Sequence, residues 1–162
     1  MVKFNKVMRL ARKSRTQDFL LLLLLITGPA AILRNHYGAD VQNKEGIHFV
    51  ENKWAEVLKM AASEHKYIFV DCFASWCGPC KQLRQTTFND KNVGDFFNQN
   101  FINLSLDIEK GEGVPFAAEL NVRAIPTLLI FSPSGTPVLK AVGYLNAEEL
   151  VKFGNTALQQ SH

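Results

Sequence analysis

The chain has 162 residues, which leaves room for one domain and a tail, and its 47% hydrophobic content is enough to build a buried core. Its formal net charge is +3, but residues 1–34 hold seven of the eighteen Lys and Arg and a single acid, Asp18. The rest of the chain has eleven basic and fourteen acidic residues. This distribution excludes an extended basic surface and therefore a nucleic-acid partner.

The N-terminal segment has the pattern of a secretory signal. A basic stretch ends at Asp18, residues 19–26 are eight consecutive apolar residues, and residues 27–29 (Thr-Gly-Pro) interrupt them before two alanines. A basic region, an apolar core and small residues in this order are typical of an export signal. Cleavage is expected after Ala30 or Ala39.

A retained membrane anchor is the alternative to cleavage. The apolar run can be extended over residues 19–33, which gives fifteen residues against the ~20 of a spanning helix, with the basic end held inside. In either case we expect the following domain to be exported. The predicted organisation is a signal or anchor at 1–34, a polar linker at 35–46 and one folded domain at 47–162.

Beyond the linker, strand-like and helix-like hydrophobic patterns alternate along the chain. They predict strands at 47–50, 67–73, 101–108, 127–131 and 138–142, and helices at 51–66, 77–85, 90–99, 114–120 and 146–158. The short turn at 132–135 predicts an antiparallel hairpin, and Asn146 with Glu149 gives the last helix a capping signature. This order predicts an α/β fold with a central mixed sheet and helices on both faces.

Two cysteines separated by two residues, Cys77 and Cys80, lie where the predicted strand 67–73 meets the predicted helix 77–85. Thiols at this spacing can pass between dithiol and disulfide without unfolding the chain. The helix N-terminus, with its free N–H groups and positive dipole end, favours the reactive thiolate at Cys77. Zinc uses the same spacing but needs two further ligands, and only Cys72 and four scattered histidines remain. Redox chemistry is therefore favoured over a zinc site and over an inert structural disulfide.

Three sequence segments around this motif carry a family resemblance. Residues 69–81 (FVDCFASWCGPCK), 122–131 (VRAIPTLLIF) and 142–143 (VG) occur in the order found in thioredoxin. Over roughly residues 47–160 the chain resembles the thioredoxin family, which implies the thioredoxin fold. Residues 87–93 (TFNDKNV) are similar to the C-terminal thioredoxin-like domain of bacterial membrane disulfide reductases and to related small exported proteins.

The resemblance implies disulfide exchange at the cysteine pair. Cys77, expected to be the more acidic and more exposed thiol, attacks a substrate disulfide, and the more buried Cys80 resolves the mixed disulfide. Gly78 and Pro79 tune the balance between dithiol and disulfide, and their identity with the thioredoxin dipeptide implies a reducing potential. The predicted chemistry uses no metal and no cofactor other than the redox-active pair.

Asp71 lies on the strand beneath the site, six residues before Cys77. Burial would raise the pKa of this carboxyl, and the resemblance implies that it accepts the Cys80 proton, directly or through water. The lysine that thioredoxin has near this aspartate is replaced by Asn103, so we expect Asp71 to lack a nearby cation and to be protonated more readily. Cys72 points to the opposite face of the strand, and we expect it to be a small buried hydrophobe rather than a third reactive thiol.

Ile125-Pro126 corresponds to the cis-proline of the family, and the resemblance predicts a cis bond although such bonds are a minority of X–Pro bonds. A cis bond would bring the Ile125 backbone beside the cysteines, where it can pair with an extended substrate segment. Trp76, Val142 and Gly143, with the Gly-Pro dipeptide between the cysteines, are expected to complete this docking surface.

The function expected from these features is that of an exported thiol:disulfide oxidoreductase that reduces or rearranges protein disulfides. The resemblance to the bacterial membrane reductases implies that it works in a bacterial periplasm. An oxidising compartment drives a cysteine pair towards the disulfide, so a membrane or exported thiol donor must recharge it. The alternative is a module that uses the same groove to bind or chaperone peptides, with redox chemistry secondary. Specialisation for apocytochrome c is less favoured, since the sequence has nothing that matches the insert expected of such proteins. The resemblance implies a monomer.

Overall fold

The computed structural model describes residues 45–51 and 53–160. The predicted signal or anchor at 1–34, and the linker 35–46 except its last two residues, lie outside the described residues. Within the described part of the chain, no helix is long and apolar enough to cross a membrane. Residues 43–162 form a compact unit of their own.

The strands and helices follow the predicted order, with boundaries that agree to within three residues. The strands are β1 (Phe49–Val50), β2 (Tyr67–Phe73), β3 (Phe101–Asp107), β4 (Thr127–Phe131) and β5 (Pro137–Val142). The helices are α1 (Trp54–Glu64), α2 (Gly78–Gln85), α3 (Lys91–Asn100), α4 (Gly113–Glu119) and α5 (Ala147–Gln159). A 3-10 turn at Thr87–Asn89 joins α2 to α3 and was not predicted.

The strands form one mixed sheet in the order β1-β3-β2-β4-β5. β3 runs parallel to β1 and to β2, whereas β4 is antiparallel to both β2 and β5. The hairpin predicted between the last two strands is therefore confirmed. Gly135 in its turn has a φ of 84°, a left-handed conformation that glycine adopts without steric cost.

Side chains alternate along the strands and build one apolar layer on each face of the sheet. On the first face α1 and α4 contribute Val57, Ala61 and Phe116, which pack with Ile68, Val70, Ile102, Leu104, Leu129 and Phe131. On the second face α2, α3 and α5 contribute Leu83, Val93, Phe97, Leu150 and Ala157, which pack with Phe69, Phe101, Leu128 and Ile130. Helices on both faces confirm the predicted fold class.

The central strand β2 determines where the cysteine pair lies. Phe69 belongs to the second layer, so Asp71, two residues further along the strand, faces the same side as α2. β2 ends at Phe73, and the turn at 74–76 leads directly to Cys77 and the start of α2. The cysteines consequently lie at the carboxyl end of a buried strand, with Asp71 on the helix-covered face behind them.

Candidate active site

Cys77 and Cys80 form a disulfide at the N-terminus of α2, with their Cα atoms 5.3 Å apart. Cys77 is the N-cap residue, in an extended conformation, and its Sγ accepts a hydrogen bond from the backbone N–H of Cys80 at 3.1 Å. Pro79 lies in the first turn of the helix, where no intrahelical N–H bond is lost. The predicted position of the pair at a strand-to-helix junction is confirmed.

The expectation that Cys77 is the more exposed cysteine is wrong for this oxidised state. Each of the two cysteines is only 2% exposed. Closing the ring holds the Cys77 sulfur against the first turn of α2, where it bonds the Cys80 N–H, so both sulfurs are turned away from solvent. The surface above the pair comes instead from its neighbours: Trp76 is 66% exposed, and Gly78 and Pro79 are also exposed.

Asp71 is buried, with 1% of its surface exposed. Desolvation raises the pKa of its carboxyl, as expected from the sequence, while the Arg84 guanidinium and the Ser105 hydroxyl act in the opposite direction. Its Oδ2 accepts hydrogen bonds from Arg84 Nη2 at 3.3 Å and from Ser105 Oγ at 3.0 Å. Its Oδ1 has no hydrogen-bond partner among the described residues. The buried carboxylate thus has one occupied oxygen and one free oxygen.

The expectation that Asp71 lacks a nearby cation is wrong. Arg84 on α2 forms an ion pair with it across the helix–sheet interface. Asn103, which stands where the family lysine would be, instead donates to the backbone oxygen of His48 at 3.3 Å and to Asn98 Oδ1 at 3.2 Å. The charge is therefore present near the carboxylate but comes from a helix rather than from the neighbouring strand.

The predicted cis bond between Ile125 and Pro126 is confirmed. The N–H of Gly143 donates to the oxygen of Pro126 at 2.8 Å, so the end of β5 is joined to the proline loop. Val142, next to Gly143, is 58% exposed. On another side of the site the indole N–H of Trp76 donates to Glu109 Oε1 at 2.9 Å. The predicted docking residues therefore lie at exposed or loop positions, and their contact with a substrate stays a prediction.

Cys72 is completely buried in the first apolar layer, on the face opposite Asp71. Burial is the main cause that raises the pKa of its thiol to about 12, and the negative charge of Asp71 adds to it. A thiol this weakly acidic is not a nucleophile at neutral pH. The prediction of an inert buried cysteine is supported.

Three residues near the site were missed by the sequence analysis: Arg84, Ser105 and Glu109. Arg84 follows Cys80 by four residues and so shares its helix face, which the spacing alone could have indicated. Ser105 is the register partner of Asp71 on β3, which becomes visible only when the two parallel strands are aligned. Glu109, which accepts from the Trp76 indole, lies 33 residues further along the chain, a contact that no sequence pattern signals.

The redox pair at a helix N-terminus, the cis-proline loop and the mixed five-stranded sheet can now be compared with known proteins. The model of the thioredoxin-like domain family matches residues 54–158, and the chain belongs to this family. Together with the Cys77–Cys80 disulfide, this makes the protein a thioredoxin-like oxidoreductase.

Curated relatives include both small proteins and parts of larger ones. A thioredoxin-like protein of Synechocystis sp. is 28% identical over 103 residues, which are 64% of this chain and 92% of that protein. Thioredoxin-2 of Pyricularia oryzae is 35% identical over 100 residues, covering 62% of this chain and 53% of the relative. The thiol:disulfide interchange protein DsbD of Yersinia enterocolitica is 26% identical over 141 residues. Those residues are 83% of this chain but only 24% of DsbD, so the chain spans about a quarter of that relative.

Solved structures show the same likeness. A solution structure from Bacteroides thetaiotaomicron, described as a candidate disulphide-isomerase, is 45% identical with a TM-score of 0.65, and the match covers 73% of this chain and 98% of that one. The oxidised C-terminal domain of DsbD from Neisseria meningitidis has a TM-score of 0.56 at 18% identity, over 68% of this chain and 98% of that one, which is a likeness of fold.

Proposed function

We propose that this protein is a protein-disulfide reductase that works outside the cytoplasm. The observation that carries the proposal is the Cys77–Cys80 pair, closed as a disulfide on the first turn of α2 with a buried carboxylate on the strand behind it. The Gly-Pro dipeptide between the cysteines supports a reducing rather than an oxidising role, because it is the dipeptide of thioredoxin. The disulfide state described above is then the product of one turnover.

The reaction transfers two electrons from the protein to a client disulfide. In the dithiol state, the Cys77 thiolate attacks one sulfur of the client disulfide, the client S–S bond breaks, and the other client sulfur leaves as a thiolate. Cys80 then loses its proton and attacks the Cys77 sulfur of the mixed disulfide. The Cys77–Cys80 bond forms and the second client sulfur leaves, so the client is reduced and the protein is oxidised.

A client segment is proposed to dock where the cis-proline loop meets the cysteines. The Ile125 backbone at the cis bond would pair with an extended client chain, and the exposed side chains of Trp76 and Val142 would contact it from either side. Gly143, whose N–H donates to the oxygen of Pro126, would form the opposite side of this surface. Closing of the ring over both sulfurs would then help to release the reduced client.

Recharging of the disulfide requires a dithiol donor. We propose that the donor is a membrane or exported thiol protein, and that residues 1–34 either direct export or anchor the domain by residues 19–33. The basic, apolar and small-residue order of this segment supports export. Similarity to DsbD, which is described as a thiol:disulfide interchange protein, supports exchange with another thiol protein.

The proposal is tested by the reduction of insulin by the purified protein with dithiothreitol as the electron source. Wild-type protein should accelerate insulin precipitation, and Cys77→Ser should reduce the rate to that of dithiothreitol alone, because the attacking sulfur is lost. Cys72→Ser is the matched control: it removes a buried thiol on the other face and should keep turnover.

A second measurement separates the reductase from a peptide-binding module. Cys80→Ser should accumulate a covalent mixed disulfide with insulin, because the resolving sulfur is missing. If wild-type and Cys77→Ser protein bind the insulin chains equally and neither accelerates their reduction, the protein is a binding module and the proposal is wrong.

A further inference from the structure

The ion pair behind the disulfide has a geometry that the two-cysteine mechanism does not explain. Asp71 is buried at 1% exposure, yet only its Oδ2 is bonded, and Oδ1 has no partner among the described residues. A buried carboxylate oxygen without a partner costs free energy. Oδ1 is therefore a buried carboxylate oxygen that can still accept a hydrogen bond or a proton.

Arg84 reaches this carboxylate from the solvent side. Its guanidinium carbon lies 3.7 Å from the centre of the Phe73 ring, a cation–π contact that holds the group in place. From there Nη2 donates to Ser105 Oγ at 2.6 Å and to Asp71 Oδ2 at 3.3 Å. Arg84 also lines, together with Cys80, a surface cleft of about 200 Å³. The cation therefore connects the buried acid to the surroundings of the resolving cysteine.

Ser105 bonds the same carboxylate oxygen of Asp71 as Arg84 does. Its hydroxyl has a single proton, which it donates to Asp71 Oδ2 at 3.0 Å while its oxygen accepts from Arg84. Both donors thus converge on the same oxygen of the carboxylate. With Oδ2 held by two donors, the plane of the carboxylate is fixed and Oδ1 is the oxygen left to react.

We propose that Arg84 and Ser105 are positioning residues that bind Oδ2 of Asp71 and leave Oδ1 as the acceptor of the Cys80 proton. The proposal rests on the disulfide-exchange function given above. In the resolving step the Cys80 S–H proton passes to Oδ1, directly or through one water molecule. The resulting thiolate attacks Cys77, the client sulfur leaves as a thiolate, and the proton on Asp71 then returns to solvent.

The charge of Arg84 also determines the pH at which Asp71 can act as a base. The polar groups that contact the carboxyl are Arg84 from α2 and Ser105 from β3, and the apolar Leu128 is its register partner on β4. Desolvation favours the protonated acid, whereas Arg84 favours the carboxylate. Without Arg84 no cation opposes desolvation, so the pKa of Asp71 rises. Asp71 then stays protonated, and cannot act as a base, up to a higher pH.

The resolving step can be measured without a protein client by reaction with Ellman's reagent. Reduced protein releases a first thionitrobenzoate when Cys77 is modified and a second when Cys80 displaces the first adduct. Stopped-flow absorbance separates the two phases, and each is followed across pH. Arg84→Gln should move the acidic limb of the second phase upwards by roughly 1 pH unit, since a cation at this distance lowers a carboxyl pKa by about 1–3 units. On that limb the second phase should be roughly tenfold slower.

Three further variants test whether the shift comes from the contact between Arg84 and Asp71. Lys81→Gln removes a second cation that lines the same cleft and has no hydrogen bond to Asp71, so the second phase should keep its wild-type pH profile. Ser105→Ala should shift the limb in the same direction by a smaller amount. Arg84→Lys should restore part of the shift, because the charge is kept and the stacking guanidinium is lost.

The double variant shows whether Arg84 acts through Asp71. In an Asp71→Asn background, the addition of Arg84→Gln should leave the second phase unchanged. An equal slowing in both backgrounds, or an unshifted profile in Arg84→Gln protein that retains its near-ultraviolet circular dichroism, overturns the positioning role. Neither result bears on the proposed reductase function, which is tested separately by insulin reduction with the wild-type protein. Should Arg84→Gln fail to fold, Arg84→Lys and Ser105→Ala answer the same question.

Discussion

At the scale of single residues, the two acids on β2 and β3 behave in opposite ways. Asp71 is buried and desolvation raises the pKa of its carboxyl. Asp107, at the end of β3, is half-buried, and the pKa of its carboxyl is lowered, mainly by its hydrogen bond with Lys110. Burial therefore favours the protonated form of one acid, and the contact with Lys110 favours the charged form of the other.

A group whose pKa differs between the folded and unfolded states makes stability depend on pH, and Asp71→Asn tests this dependence. The folded state binds the Asp71 proton more tightly than the unfolded chain, so the wild type loses stability from this group as the pH rises from about 3.8 through the folded pKa. The asparagine does not titrate. We expect the melting temperature of Asp71→Asn, relative to the wild type, to increase as the pH rises above about 3.8 and to level off once the pH exceeds the folded pKa.

Asp107→Asn is the control with the opposite sign. Because the folded pKa of Asp107 is depressed, the wild type gains stability from it as the pH rises, so the melting temperature of Asp107→Asn relative to the wild type should fall. The Lys110 partner is exposed to solvent, which screens the ion pair and makes this change the smaller of the two. A melting-temperature difference for Asp71→Asn that is flat over the same pH range contradicts a raised pKa.

At the scale of elements, close backbone packing fixes the entry of the chain into the domain. The N–H of Ile47 donates to the oxygen of Phe88 at 2.7 Å, and Asn98 Nδ2 donates to the oxygen of Gly46 at 3.0 Å. The backbone of Gly46 lies so close to α3 that a Cβ on Gly94 would overlap it. The segment before β1 is therefore held against α3 and the 3-10 turn, at a place where only glycine fits.

Gly94→Ala should therefore be destabilising although alanine is the better helix former. A methyl group directed at backbone atoms forces the segment or the helix to move, and we expect a loss of about 1–3 kcal/mol in the free energy of unfolding. Urea titration followed by tryptophan fluorescence measures it.

Gly78→Ala is the matched control for this prediction. A Cβ at Gly78, in the first turn of α2, would meet no atom within 4 Å, so the free energy of unfolding should stay within about 0.5 kcal/mol of the wild type. Equal stability of the Gly94→Ala and Gly78→Ala proteins contradicts the close approach of Gly46 to α3.

At the scale of the whole molecule, the core and the site of the described residues lie within one compact unit. Among the described residues, the members of both apolar layers lie between Ile47 and Leu158, and residues 43–162 form a compact unit. The cysteines, the carboxylate behind them and the proline loop all belong to that unit. We therefore expect folding and exchange chemistry to need nothing that precedes residue 43.

A fragment of residues 43–162 should unfold cooperatively and reduce insulin at a rate within about twofold of the full chain, since its core and its site are intact. Circular dichroism and the insulin assay measure the two properties, and the same fragment with Cys77→Ser provides the inactive control. A fragment that is unfolded, or folded but inactive, places part of the core or of the site before residue 43.

Much of this molecule could be predicted from the order of its residues, because the signals are local. Hydrophobic period and turn residues determine the elements, and the helix cap at Asn146 with its reciprocal Glu149 bond was predicted and is confirmed. The spacing of Cys77 and Cys80 at a strand-to-helix junction indicates redox chemistry for the same reason. A buried acid on β2 follows from its position within an apolar strand.

Only the tertiary structure decided what surrounds those groups. The ion pair of Arg84 with Asp71 depends on how α2 lies across β2 and β3, and the bond of Ser105 depends on the register of two parallel strands. Burial of both cysteine sulfurs depends on the closed ring at the helix terminus. These contacts join residues that are distant in the chain, and their geometry arises from packing of elements against one another, which no local pattern encodes.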